Sequence, residues 1–232
     1  HFRNMPGEGD LDVTAFMRAV MATGYNGPIS LEIFNDSFRG GNPDMIARDG
    51  YRSLRAIMDD VHRSEPITCM PLPAMPPRPI IQGVEFVEFA ASQTGADTLA
   101  AILLPMGFTR AVHKNNQNII LFQQGDTRII VNTSHHDSAA LADGAKVCDI
   151  GLHIDNADNA ITRAKELRVP LFTSPLLSGE LSLPAIQSVG GTIIHFIEAD
   201  SKQQIKGHDE YQARSPDEPE DCNITGIDHL AL

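Results

Sequence analysis

Apolar residues recur at helical spacing early in the chain. Leu11, Val13, Phe16, Met17, Val20 and Met21 form one stripe that stops at Gly24, so the pattern predicts a helix with that glycine as its C-cap. Pro28–Phe34 (PISLEIF) is short and β-rich, which predicts a buried strand with Glu32 among apolar neighbours. Asn42 and Pro43 are the residue types of a helix cap and first helical position, and Leu54, Ile57, Met58 and Val61 share a face of the helix they open. A single strand has no ladder partner, and about sixty residues bury too little surface to fold alone. Residues 1–62 are therefore expected to be the end of something larger.

Between Glu65 and Ile80 six prolines remove backbone donors and fix extended conformations, so a linker is expected over 63–82. Beyond it the pattern repeats. Val84–Ala90 reads as a strand, 95–104 as a helix, and 108–113, 118–123 and 127–132 as three further strands. A second copy follows in the same order: strand 147–154, helix 157–167, then strands 171–173, 179–186 and 192–198. Two βαβββ copies over 83–198 predict an α+β domain. The polar, acidic stretch 199–225 reads as a surface connection, and 226–232 (GIDHLAL) as the opening strand of a third copy.

Composition narrows the classes. The formal charge is −12 over 232 residues and is spread along the chain, which favours solubility and disfavours nucleic acid and anionic lipid as partners. Cys69, Cys148 and Cys222 are widely spaced with no CxxC pair, as expected of unpaired thiols in a reducing cytoplasm. HFRNMPGEGD lacks a basic region followed by an apolar one, so it is no signal peptide, and no apolar run reaches membrane-spanning length. A cytoplasmic location is the expectation. His1 is not an initiator methionine, and a closing strand with nothing after it leads us to expect an internal piece of a longer reading frame.

Pro6, Gly7, Glu8 and Gly9, followed by Gly24, Tyr25, Gly27, Leu31 and Glu32, resemble the closing turns of the xylose-isomerase-like TIM-barrel superfamily. That resemblance implies an α/β barrel end and makes Glu32 a ligand of a divalent cation (Mg, Mn or Co). A carboxylate at the C-terminal end of a barrel strand suits a hard, oxygen-seeking ion. HFRNMPGEGDL, SLEIFND and Arg39 resemble the bacterial 3-dehydroshikimate dehydratases more closely. By that likeness His1 and Arg3 bind substrate or move a proton, and Arg3 and Arg39 hold a carboxylate of the small-molecule substrate 3-dehydroshikimate. The bland readings are loop ordering for His1 and Arg3 and a structural salt bridge for Arg39.

GVEFVEFAA, Met106–Phe108, KVCDIGLHIDNADNAITRAKEL and GIDHLAL resemble the vicinal-oxygen-chelate fold, and within it 4-hydroxyphenylpyruvate dioxygenases, whose first half binds no metal. Aligning GVEF with GIDH sets Phe86 opposite His229. His229 is thus the candidate first ligand of a two-histidine, one-carboxylate site for iron or another divalent ion. His195 stands roughly where metal-binding copies carry a carboxylate, but a half-buried strand histidine more often has a hydrogen-bond partner. His135 and His136 read as solvated loop residues. Three functional expectations follow: part of a metal-dependent lyase that is inactive in isolation, part of a dioxygenase-type iron enzyme, or a non-catalytic binding or assembly module. Homo-oligomerisation is compatible with each.

Overall fold

The structure is a computed structural model that describes residues 3–64, 74–134, 144–173, 183–198, 211–213 and 222–230. The chain divides into two compact units, His1–Pro77 with Thr162–Arg168, and Arg78–Ile161 with Val169–Leu232.

The first unit is helical. Asp12 caps α1 (Val13–Ala22), its Oδ1 accepting from Ala15 N at 2.8 Å, and Gly24 closes the helix in the left-handed region at φ +80°. A single turn, α2 (Asp36–Arg39), follows, with Asn35 accepting from Ser37 N at 2.9 Å. Asn42 then caps α3 (Pro43–Ser64), accepting from Asp44 N at 2.9 Å. Met17 and Met21 pack on Ile57, Met58 and Val61, the stripe the spacing predicts. Two of the predicted members are instead exposed: Leu11 precedes the cap, and Phe16 sits at the rim of the apolar arc.

The strand predicted over Pro28–Phe34 does not form. Ile29, Leu31 and Ile33 are half-buried while Ser30, Glu32 and Phe34 are exposed, so the backbone is extended and alternates, but it has no ladder partner among the described residues. Extension follows from side-chain pattern; a strand also needs a neighbour. Elsewhere in this unit Asp59 is completely buried. Its Oδ2 accepts from Arg63 Nε and Arg163 Nη1, both at 3.0 Å, and its Oδ1 accepts from Met75 N at 3.2 Å. Burial alone would raise the Asp59 pKa, but the hydrogen bonds and charges of Arg63 and Arg163 outweigh it and hold the carboxyl below its ordinary value. Arg163 and Arg63 also donate to Pro76 O, so Asp59 and its two partners hold the segment around Met75 and Pro76 within this unit.

The second unit is one nine-stranded sheet with the order β6-β7-β8-β5-β1-β4-β3-β2-β9. β1 (Ile81–Ala91), α4 (Gln93–Leu103), β2 (Thr109–His113), β3 (Asn116–Gln124) and β4 (Thr127–Asn132) make the first copy. β5 (Ala145–Ile154), α5 (Ala157–Glu166), β6 (Leu171–Phe172), β7 (Ala185–Gln187) and β8 (Ile193–Glu198) make the second. In each copy the first strand lies parallel to the last, β1 to β4 and β5 to β8, and the copies meet along the antiparallel β1–β5 pair. One sheet face packs on helices: Ala96 and Leu103 meet Phe108, Phe122 and Val131, while Ala157 and Ala160 meet Ile154 and Phe196. The other face clusters Phe86, Leu121, Ile130 and Ile197.

Two expectations here need correction. β9 (Tyr211–Ala213) lies within the stretch read as a surface connection, yet it pairs antiparallel with β2 and covers that edge of the sheet. Of the strand expected over 226–232, residues 231–232 lie outside the described residues, and 226–230 pair with no strand among the described residues; Ile224, just before them, packs against the α4 core. Among the described residues no helix is long and apolar enough to cross a membrane.

Candidate functional site

Polar side chains gather on the sheet face away from the helices. Residues paired across strands emerge on the same side, and the register runs Glu88 to Asp149 and Phe86 to Gly151 between β1 and β5, then Gly151 to His195 between β5 and β8. A register shift between Val84 and Phe86 turns Glu85 toward the same side, where it contacts both Arg128 and His153. Glu88, only 6% exposed, accepts from Asn132 Nδ2 at 2.9 Å. Asp149 Oδ2 lies 3.0 Å from His195 Nε2, and the His195 ring lies between Phe86 and Phe172, whose centroids are 6.4 and 6.3 Å away. Among the described residues Asp149 Oδ1, His153 Nδ1 and His195 Nδ1 are buried without a partner.

Chemically this face offers two imidazole–carboxylate pairs, one braced by an arginine. The neighbouring Cys148 thiol is pushed up to about 12, first by burial and then by the negative charge of Glu88 and Asp149. It is therefore no nucleophile near neutral pH.

The residues singled out in the sequence lie elsewhere. His1, His135 and His136 fall outside the described residues. Arg3 is exposed, its Nη1 donating to Phe34 O at 3.3 Å and its guanidinium 5.6 Å from the Phe34 ring, while Asn35 donates to Arg3 O at 2.8 Å. The start of the chain is thereby tied to the end of the extended segment that carries exposed Glu32. Arg39 pairs with Asp36 at 3.4 Å on the surface, and exposed His229 pairs through Nδ1 with Asp228 at 2.9 Å. Among the described residues no three His, Cys, Asp or Glu side chains are arranged to hold a metal ion. Glu32 and His229 thus stand as single donors. Glu85, Glu88, Arg128, Asp149 and His153 were not singled out; the signal for them is a polar residue recurring among apolar ones within a strand.

Residues 77–210 match the family described as hydroxyphenylpyruvate dioxygenase, N-terminal. This chain belongs to that family. Its sheet, two βαβββ copies side by side, has the arrangement of the vicinal-oxygen-chelate fold. The likeness to named proteins extends further along the chain. A 3-dehydroshikimate dehydratase of Pseudomonas aeruginosa is 30% identical over 240 residues, which is 100% of this chain and 38% of the relative. One from Pseudomonas putida is 32% identical over 246 residues, again 100% and 38%. A 4-hydroxyphenylpyruvate dioxygenase of Pseudomonas aeruginosa is 31% identical over 154 residues, 64% of this chain and 43% of the relative. A solved structure described as a xylose isomerase-like TIM barrel/4-hydroxyphenylpyruvate dioxygenase fusion protein superposes with a TM-score of 0.80 at 30% identity, covering 92% of this chain and 36% of the other. The chain thus spans less than two-fifths of the dehydratase relatives it matches.

Proposed function

We propose that this chain is part of a metal-dependent lyase that dehydrates 3-dehydroshikimate to protocatechuate. In this reading residues 1–62 form the closing elements of a TIM barrel, 63–82 the linker, and 83–198 the first half of a dioxygenase-like domain, with 226–232 opening the next half. The carrying observation is that similarity to relatives named 3-dehydroshikimate dehydratase runs over 100% of the chain, whereas similarity to the dioxygenase of Pseudomonas aeruginosa covers 64%.

The unpaired extended segment supports the barrel assignment, since Ile29, Leu31 and Ile33 already alternate with Ser30, Glu32 and Phe34 as a barrel strand would. Beside it Arg3 is tied to Phe34, a placement suited to an anion-binding guanidinium at the strand's end. His1 and Arg39 would act on the same substrate, as proton carrier and carboxylate contact. Glu32 would give one oxygen to a hard divalent cation, and His229 one nitrogen to a second ion; neither makes a site by itself. The isolated chain is then inactive and works in the cytoplasm only as part of a longer protein.

Exchanging this chain for the matching segment of the Pseudomonas aeruginosa dehydratase tests the reading. The chimera is expected to form protocatechuate from 3-dehydroshikimate, and Arg3→Ala to raise KM more than it lowers kcat. A folded chimera without dehydratase activity would contradict it. For the sheet domain a non-catalytic role is the better-supported reading, because Phe86 stands where the sequence of the next copy has His229.

A further inference from the structure

Two adjacent residues clamp Arg3 at the end of the extended segment. Phe34 takes the side chain: its carbonyl accepts from Arg3 Nη1 at 3.3 Å, and its ring centre lies 5.6 Å from the guanidinium carbon. Asn35 takes the main chain, its Nδ2 donating to Arg3 O at 2.8 Å. The other end of the same amide is also used. Asn35 Oδ1 accepts from Ser37 N at 2.9 Å and so caps α2, the single turn that ends in Arg39. One side chain thus joins the loop carrying Arg3 to the turn carrying Arg39.

The cap by itself does not call for asparagine, since Asp and Ser cap a helix about as well. Arg3 O needs a donor while Ser37 N needs an acceptor. An ionised Asp has no proton to give, and a serine hydroxyl is one atom too short to span both; an amide of this length serves both partners. Nor does Phe34 suffice to aim the guanidinium. A hydrogen bond at 3.3 Å is long and an exposed cation–π contact is weak, so the direction of the Arg3 side chain depends on where its backbone is held. We propose that Asn35 is the positioning residue for Arg3, fixing its backbone so that the guanidinium is aimed before a carboxylate arrives. The inference rests on the dehydratase reading, in which Arg3 and Arg39 hold the carboxylate of 3-dehydroshikimate. Asn35 touches no substrate; it spares Arg3 the ordering that binding would otherwise impose.

The test compares N35D and N35S in the chimera with the Pseudomonas aeruginosa dehydratase. Both keep the cap and lose the donor to Arg3 O. Each is expected to raise KM for 3-dehydroshikimate about 5-fold, the worth of roughly one hydrogen bond, with kcat within about 2-fold of the parent. In an R3A background the same substitutions should change KM by less than about 2-fold, because no guanidinium is left to aim. A rise that persists without Arg3 would come from charge repulsion or general damage, and would overturn the inference. So would N35D and N35S with the parent's KM while R3A raises it; the dehydratase reading would then stand. A folded chimera with no activity contradicts that reading instead, and the positioning itself is then judged by trypsin. Cleavage after Arg3, mapped by mass, should be at least about 3-fold faster in N35S than in the parent, and equal rates would overturn the inference.

Discussion

Two carboxylates, one in each unit, show how differently a buried acid can be used. Asp59 is fully buried and saturated: both oxygens accept hydrogen bonds from arginines, and Oδ1 also from Met75 N. Asp149 is half-buried and unsaturated, with Oδ2 held by His195 and Oδ1 without a partner among the described residues. A saturated buried charge has no capacity for a ligand and serves to hold chain segments in place. An unsaturated one keeps a lone pair for a second occupant. The contrast predicts that Asp59 contributes far more to stability than Asp149 does.

Breaking the saturated site should have the largest effect. Asp59→Ala leaves Arg163 buried without its carboxylate and is expected to cost about 3 kcal/mol in denaturant unfolding. A loss under 1 kcal/mol would contradict the role assigned to it. The same group sets an acid limit. Because its folded pKa lies below the ordinary 3.8, its contribution is complete above that value and is lost as pH falls through the lower folded value. Unfolding midpoints of wild type and Asp59→Asn should therefore converge as pH drops below about 4.

A smaller effect is expected on the sheet face. Gly151→Ala forces Phe86 or the Ile197 methyl, 2.9 Å from the added carbon, to shift, at about 1–3 kcal/mol. The double variant with Phe86→Ala should recover most of that loss; simple additivity would mean that the two residues do not meet as described. The smallest effect is chemical. With its thiol at about 12, Cys148 should resist alkylation at pH 8 in the native protein and react once the protein is unfolded. Mass mapping of modified peptides reads this directly.

Much of the second unit was legible in the sequence because both its signals are local. The strand predicted over Thr127–Asn132 is the strand observed, and α5 begins at Ala157 as its pattern requires. Asn42 and Pro43 likewise announce α3. What failed was non-local. Pro28–Phe34 has a strand's alternation but no ladder partner among the described residues, and β9 is a strand only because β2 offers an edge. The polar face was hidden for the same reason: Glu85 meets residues 43 and 68 positions away, and only the register of four strands brings them together. Single-residue motifs pointed to Glu32 and His229, both of which are exposed in the structure.

The most direct measurement is dehydratase activity of the Pseudomonas chimera carrying Glu32→Ala, assayed as protocatechuate formation with magnesium, manganese or cobalt added. A loss in kcat/KM on the order of 100-fold or more is expected, only partly recovered at high metal concentration. A folded Glu32→Ala chimera as active as its parent would remove Glu32 from the metal site and contradict the barrel-end reading on which the proposed function rests.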